Sequence, residues 1–118
     1  MLQGFAGAKL RANKLAEAER LLQDAYRMNP GHSPTLVDLG RLRERLHDDA
    51  GADEYYRQAI AADTNNSFAY YLLARLTYRY NDIEEAFRLA KTAMTTDPLD
   101  ERNRQLVKEL KQKLMPPE

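Results

Sequence analysis

The chain has 118 residues, with 18 Lys+Arg against 18 Asp+Glu, 43% hydrophobic residues and 31% charged ones. That length suits one ordinary domain, and the composition suits a folded soluble chain rather than a disordered one. Cysteine is absent, which excludes disulfide frameworks, thiolate metal sites and cysteine nucleophiles. A zero net charge disfavours non-specific attachment to nucleic acid or anionic membranes.

The chain is rich in Leu and Ala and nearly free of Val and Ile. Leu and Ala lose little side-chain freedom in a helix, so helix is favoured over strand. Met1-Leu2-Gln3-Gly4 lacks the basic start of a secretory signal. The first helices are expected at 2–12 and 15–28, with Gly4 and Gly7 weakening the first. Ser33-Pro34 reads as an N-cap followed by proline in the first turn, opening a helix at 34–46. Leu36, Leu39, Gly40 and Leu46 recur there with helical period, as do Ala52, Tyr56, Ala59 and Ile60 in the next helix, 49–62. Tyr70, Leu73, Ala74 and Tyr80 mark a helix at 67–80. Its apolar run, Phe68 to Ala74, is far too short to span a bilayer. Asp82 and Glu85 form a capping-box pattern before a helix at 83–96, which Pro98 ends. Asp100 then caps a last helix at 100–114, with an apolar stripe of Leu106, Val107, Leu110 and Leu114. Residues 115–118 read as a disordered end.

The helices repeat. Ala18, Ala52 and Ala86 are 34 residues apart, and so are Ala25, Ala59 and Ala93. Phe5, Leu39 and Leu73 fall in the same register, as do Ala6, Gly40 and Ala74. Small residues at recurrent places let two helices approach closely; a larger side chain there would force them apart. Ala6, Gly40 and Ala74 are expected to sit against Ala18, Ala52 and Ala86. The expectation is all-α: three helix-turn-helix repeats at about 1–32, 33–66 and 67–100, plus a capping helix at 100–114, in one domain over 1–114.

This register resembles the tetratricopeptide repeat family, whose 34-residue pattern runs large apolar, Leu-Gly, Ala, aromatic, Ala, Pro. The second copy reads Leu36, Leu39-Gly40, Ala52, Tyr56, Ala59, with Thr64 in place of proline. The third reads Tyr70, Leu73-Ala74, Ala86, Ala90, Ala93, Pro98, and the first Leu2, Phe5-Ala6, Ala18, Leu22, Ala25, Pro30. Lys9, Arg43 and Thr77 stand where the family prefers Tyr. Asp49 and Asp53 replace common apolar residues, which points to looser packing of that helix. The resemblance implies an α-solenoid with a concave, ligand-binding surface lined by the first helix of each repeat.

Catalysis finds little footing. His32 and His47 lie in turns, with no convergent ligands in the sequence for a metal. Asp48-Asp49 and Glu84-Glu85 suit helix starts. No Gly-rich phosphate loop is present, and neither Ser33 nor Ser67 stands in a recognised nucleophile pattern. Asn65-Asn66-Ser67 matches a glycosylation acceptor in a turn. The expectation is a non-enzymatic chain with no cofactor, in a compartment the sequence leaves open.

Helical phase picks out the groove face. It holds Gln3, Gly4, Gly7, Leu10 and Arg11, then Val37, Asp38, Arg41, Glu44 and Arg45, then Phe68, Tyr71, Leu72, Arg75, Tyr78 and Arg79, then Arg102, Gln105, Leu106 and Glu109. Arginines prevail over acids, and guanidinium both pairs bidentately with carboxylates and stacks on rings. Asp38, Arg41, Arg45, Tyr71, Arg75, Tyr78 and Arg79 are therefore the expected contacts for a peptide or partner segment that is acidic and partly apolar. The family's carboxylate clamp for heat-shock chaperone tails would need Lys and Asn where this chain has Gln3, Gly7, Asp38, Phe68 and Leu72, so that ligand is not expected. Two other readings remain: self-assembly through Tyr26, Tyr55 and the Leu106–Leu114 stripe, and, less favoured at zero net charge, binding of single-stranded RNA.

Overall fold

The computed structural model describes residues 2–115, with side chains from Gly4 to Met115. The expected tail at 116–118 and the expected roles of the Leu2 and Gln3 side chains lie outside the described residues. Seven α-helices occur among those described: α1 Leu2–Arg11, α2 Leu15–Met28, α3 Ser33–Arg45, α4 Asp49–Ala62, α5 Ser67–Arg79, α6 Ile83–Thr96 and α7 Glu101–Leu114. Each starts and ends within one residue of its expected bounds. Contacts gather in two compact units, Met1–Thr64 and Asn65–Glu118.

The repeat is written in the backbone as well as in the side chains. Asn13, His47 and Asn81, each 34 residues from the next, adopt left-handed φ angles of 60°, 62° and 62°. The following N–H of Lys14, Asp48 and Asp82 donates to the carbonyl of Lys9, Arg43 and Thr77, at 2.8, 2.8 and 3.2 Å. This closes the first helix of each pair with the reversal that a left-handed residue permits. Asn tolerates that region, and His does so less readily than Gly. His47 is thus a turn-forming residue rather than merely a solvated one.

In the first unit α1 pairs with α2 and α3 with α4. Ala6, Leu10, Ala18, Leu22, Leu39 and Leu42 form one buried cluster, with Leu15, Leu21, Tyr26 and Tyr55 packed on it. Gly40 faces the ring of Tyr56: a Cβ added to Gly40 would lie 2.5 Å from a Tyr56 ring carbon. Tyr56 is fully buried and its hydroxyl donates to Glu44 at 2.7 Å. The glycine therefore makes room for an aromatic ring, and α4 packs tightly through Ala52, Tyr56 and Ala59 instead of loosely. Asp53 turns outward to pair with Arg57 at 2.8 Å. Lys9 and Arg43, in positions where tyrosine was expected, make ion pairs with Glu17 at 2.7 Å and Glu19 at 3.2 Å.

Ser33 does not cap α3. The helix starts at Ser33 itself, and its buried hydroxyl donates to the Ala59 carbonyl at 2.8 Å, tying the start of α3 to the end of α4. Asp48, Asn66, Asp82 and Asp100 do cap α4, α5, α6 and α7 through their side chains. Phe5 breaks the register in burial: it is 61% exposed, whereas Leu39 and Leu73 are fully buried. Leu39 is covered within its unit by α1 and α2.

In the second unit α5 pairs with α6, and α7 packs on α6. Leu106 and Leu110 of the α7 stripe are buried, while Val107 and Leu114 are half-buried. The amide of Asn103 is buried and donates to the carbonyls of Ala93 and Asp97, both at 3.1 Å, at the end of α6. A buried side-chain amide satisfied in this way fixes the seating of α7 where apolar packing alone would let it slide.

Candidate functional site

The expected contact residues divide between the units. In the first, Asp38 is buried at 3% exposure and accepts from Arg41 at 3.2 Å. Arg45 donates to the Leu10 carbonyl at 2.8 Å and to the Asn13 side chain at 3.4 Å. This guanidinium straps α3 to the open carbonyl end of α1, where a cation is favoured. Arg45 and Asp38 are thus engaged in structure.

In the second unit the four expected residues of α5 come together. Tyr71, Arg75, Tyr78 and Arg79 line a cleft of about 410 Å³, whose other wall is Glu101, Arg102, Gln105, Leu106 and Glu109 of α7. All four groove residues expected on the last helix are present. Glu101 was missed, because in the sequence it reads only as an acidic first-turn residue.

The cleft has two chemically different ends. At the first, the rings of Phe68 and Tyr71 stack at 6.3 Å and 13°. The Arg102 guanidinium lies over both, at 4.9 and 5.3 Å from their centroids. Asp100 holds that guanidinium from behind, accepting at 2.8 and 3.2 Å. The pairing with Arg102 pulls the Asp100 carboxyl below its ordinary value and raises Arg102 in turn. Arg75 sits on Tyr71 from its own helix at 5.7 Å, one turn along, and has no carboxylate partner among the described residues. A guanidinium stacked on a ring keeps its edge donors open.

At the other end the Tyr78 hydroxyl donates to Glu109 at 3.3 Å. Burial, with the Glu109 charge and hydrogen bond adding to it, holds the phenol above its ordinary value. It is therefore a donor at neutral pH. Glu109 has no cationic partner among the described residues. The buried side of Leu106 gives the wall its apolar strip. Chemically, the cleft can stack on a planar group, pair with a carboxylate, and accept from a donor one helical step or two further on.

Four further positions of the expected groove face are buried or engaged. Gly7 and Leu72 are buried, Asp38 is paired with Arg41, and Phe68 lies under Arg102.

No family model matches the chain. A protein adenylyltransferase, fic-1 of Caenorhabditis elegans, is 32% identical over 72 residues, which is 61% of this chain but only 14% of that protein. The chain thus spans a small part of the length of that relative. Solved structures match over nearly the whole chain. The first TPR of Spaghetti (RPAP3) bound to the HSP90 peptide SRMEEVD superposes with a TM-score of 0.84 at 17% identity, covering 96% of this chain and 90% of that one. The secretion chaperone SycD of Yersinia enterocolitica, in complex with a peptide of the translocator YopD, gives 0.82 at 16% identity, covering 96% and 92%. For pilF of Pseudomonas aeruginosa the TM-score is 0.87 at 20% identity, covering 96% and 52%. With the 34-residue register, the left-handed turns and the paired helices, these likenesses give one conclusion: the chain has the tetratricopeptide-repeat fold.

Proposed function

We propose that this chain is a non-catalytic interaction module that binds an acidic, partly apolar peptide segment in the cleft between α5 and α7. The observation that carries the reading is Arg75, stacked on Tyr71 in a 410 Å³ cleft with no carboxylate partner of its own. A cation held on an aromatic face gains little by remaining solvated and gains strongly when a carboxylate completes its hydrogen bonds. Two of the similar folds were solved with peptides bound, which supports a peptide as the class of ligand. Tyr71, Arg75, Tyr78 and Arg79 are the proposed contacts, joined by Arg102 and Gln105 of α7. Asp38, Arg41 and Arg45 are proposed to support the first unit rather than to touch the ligand.

The test is fluorescence anisotropy with labelled nine-residue peptides carrying Glu, Asp and Leu. Arg75→Glu should weaken binding about tenfold, since it replaces an attraction by a repulsion, while circular dichroism stays unchanged. Equal affinity of the Arg75→Glu variant and the native chain would overturn the site. The HSP90 peptide SRMEEVD serves as a comparison probe, and the chain is expected to bind it no better than a scrambled version.

A further inference from the structure

The helices that form the cleft run in the same direction past it. Tyr71 meets Arg102, and seven residues on Tyr78 meets Glu109, so both contacts keep an offset of 31 residues. Seven residues of α-helix rise about 10 Å. One end of this span carries Arg75 and Arg102 on the Phe68–Tyr71 rings. The other ends at Glu109, whose only described partner is a neutral phenol at 3.3 Å.

A purely acidic ligand would satisfy the first end and be repelled by the second. Like charges placed in one site are what an interface uses to reject a wrong partner. The geometry therefore deepens the reading of the preceding subsection, on which it rests. We propose that the cleft selects an extended segment carrying one Asp or Glu on the Tyr71–Arg75–Arg102 platform and, three residues away, one Lys or Arg on Glu109. The spacing follows from reach and phase: an extended chain of polyproline-II form advances about 3.1 Å per residue and turns once every three residues, so residues three apart share a face and stand about 9 Å apart. An apolar residue between the two charges lies along Leu106.

Three labelled peptides with common Gly-Ser flanks test this against the native chain. Their cores are Glu-Leu-Ala-Lys, Glu-Leu-Ala-Gln and Glu-Lys-Leu-Ala. The first should bind roughly fivefold tighter than the other two, the upper range for an exposed ion pair. Glu109→Gln should abolish that preference and leave the affinity for Glu-Leu-Ala-Gln unchanged. Arg75→Gln should weaken all three. Equal affinity for the Lys and Gln peptides, equal affinity for the two Lys spacings, or a preference that survives in Glu109→Gln overturns the two-charge selection while the acid-binding reading stands. Failure of all three peptides to bind overturns both.

Discussion

Two glycines with opposite surroundings show how finely individual positions are set. A Cβ on Gly40 would strike the ring of Tyr56, which is fully buried and pinned by Glu44. Overpacking of a rigid core costs about 1–3 kcal/mol, and the helical gain of Ala over Gly returns only about 1 kcal/mol. Gly40→Ala is therefore expected to lose about 1 kcal/mol in urea unfolding. A Cβ on Gly7 would find its nearest atoms at 3.5 Å, an ordinary contact. Gly7→Ala should then stabilise the chain by about 1 kcal/mol. Thr35 offers a third measurement, because its hydroxyl is buried without a hydrogen-bond partner. Thr35→Val keeps the shape and removes that desolvated group, so it should add about 1 kcal/mol. A loss in Thr35→Val would mean that the hydroxyl is satisfied in solution.

Among the helices, α7 depends on Asp100 at two levels. Its carboxylate accepts from the backbone N–H of Arg102 at 2.9 Å and from the Arg102 guanidinium. Arg102 holds the folded carboxyl below the value it has when unfolded. A depressed folded value means that the stabilisation is present above the ordinary carboxylate range and is lost as pH falls through the folded value. Asp100→Ala should lower the melting temperature at pH 7, and the gap to the native chain should narrow as pH falls below the ordinary carboxylate range and through the lowered folded value. A constant gap would show that the carboxylate charge plays no part. The helix bounds themselves were legible in the sequence, because Leu and Ala period, Pro34, Pro98 and the Asp caps all act locally. The part played by Ser33 was not, since its hydroxyl donates to the carbonyl of Ala59, 26 residues away. The α5 and α7 walls of the cleft were legible from helical phase. The use of Arg45 as a strap was not: phase gives the direction of a side chain, and the carbonyl it finds belongs to another helix.

For the whole molecule, a formal charge of zero leaves no long-range field to gather a ligand, so recognition rests on the few groups in the cleft. Affinity for acidic peptides should then fall only severalfold between about 0.05 and 0.5 M salt, as screening reaches a few exposed charges. A drop of several orders of magnitude would instead mark a nucleic-acid ligand. The placement of Asn103 carries a further consequence. The helix that supplies Arg102, Leu106 and Glu109 to one wall is latched by Asn103 to the last carbonyls of α6. Recognition and closure of the core thus share a single segment. A change that loosens the latch would blur the ligand preference before it melts the protein, and a bound segment would in turn slow amide exchange along Glu101–Leu114.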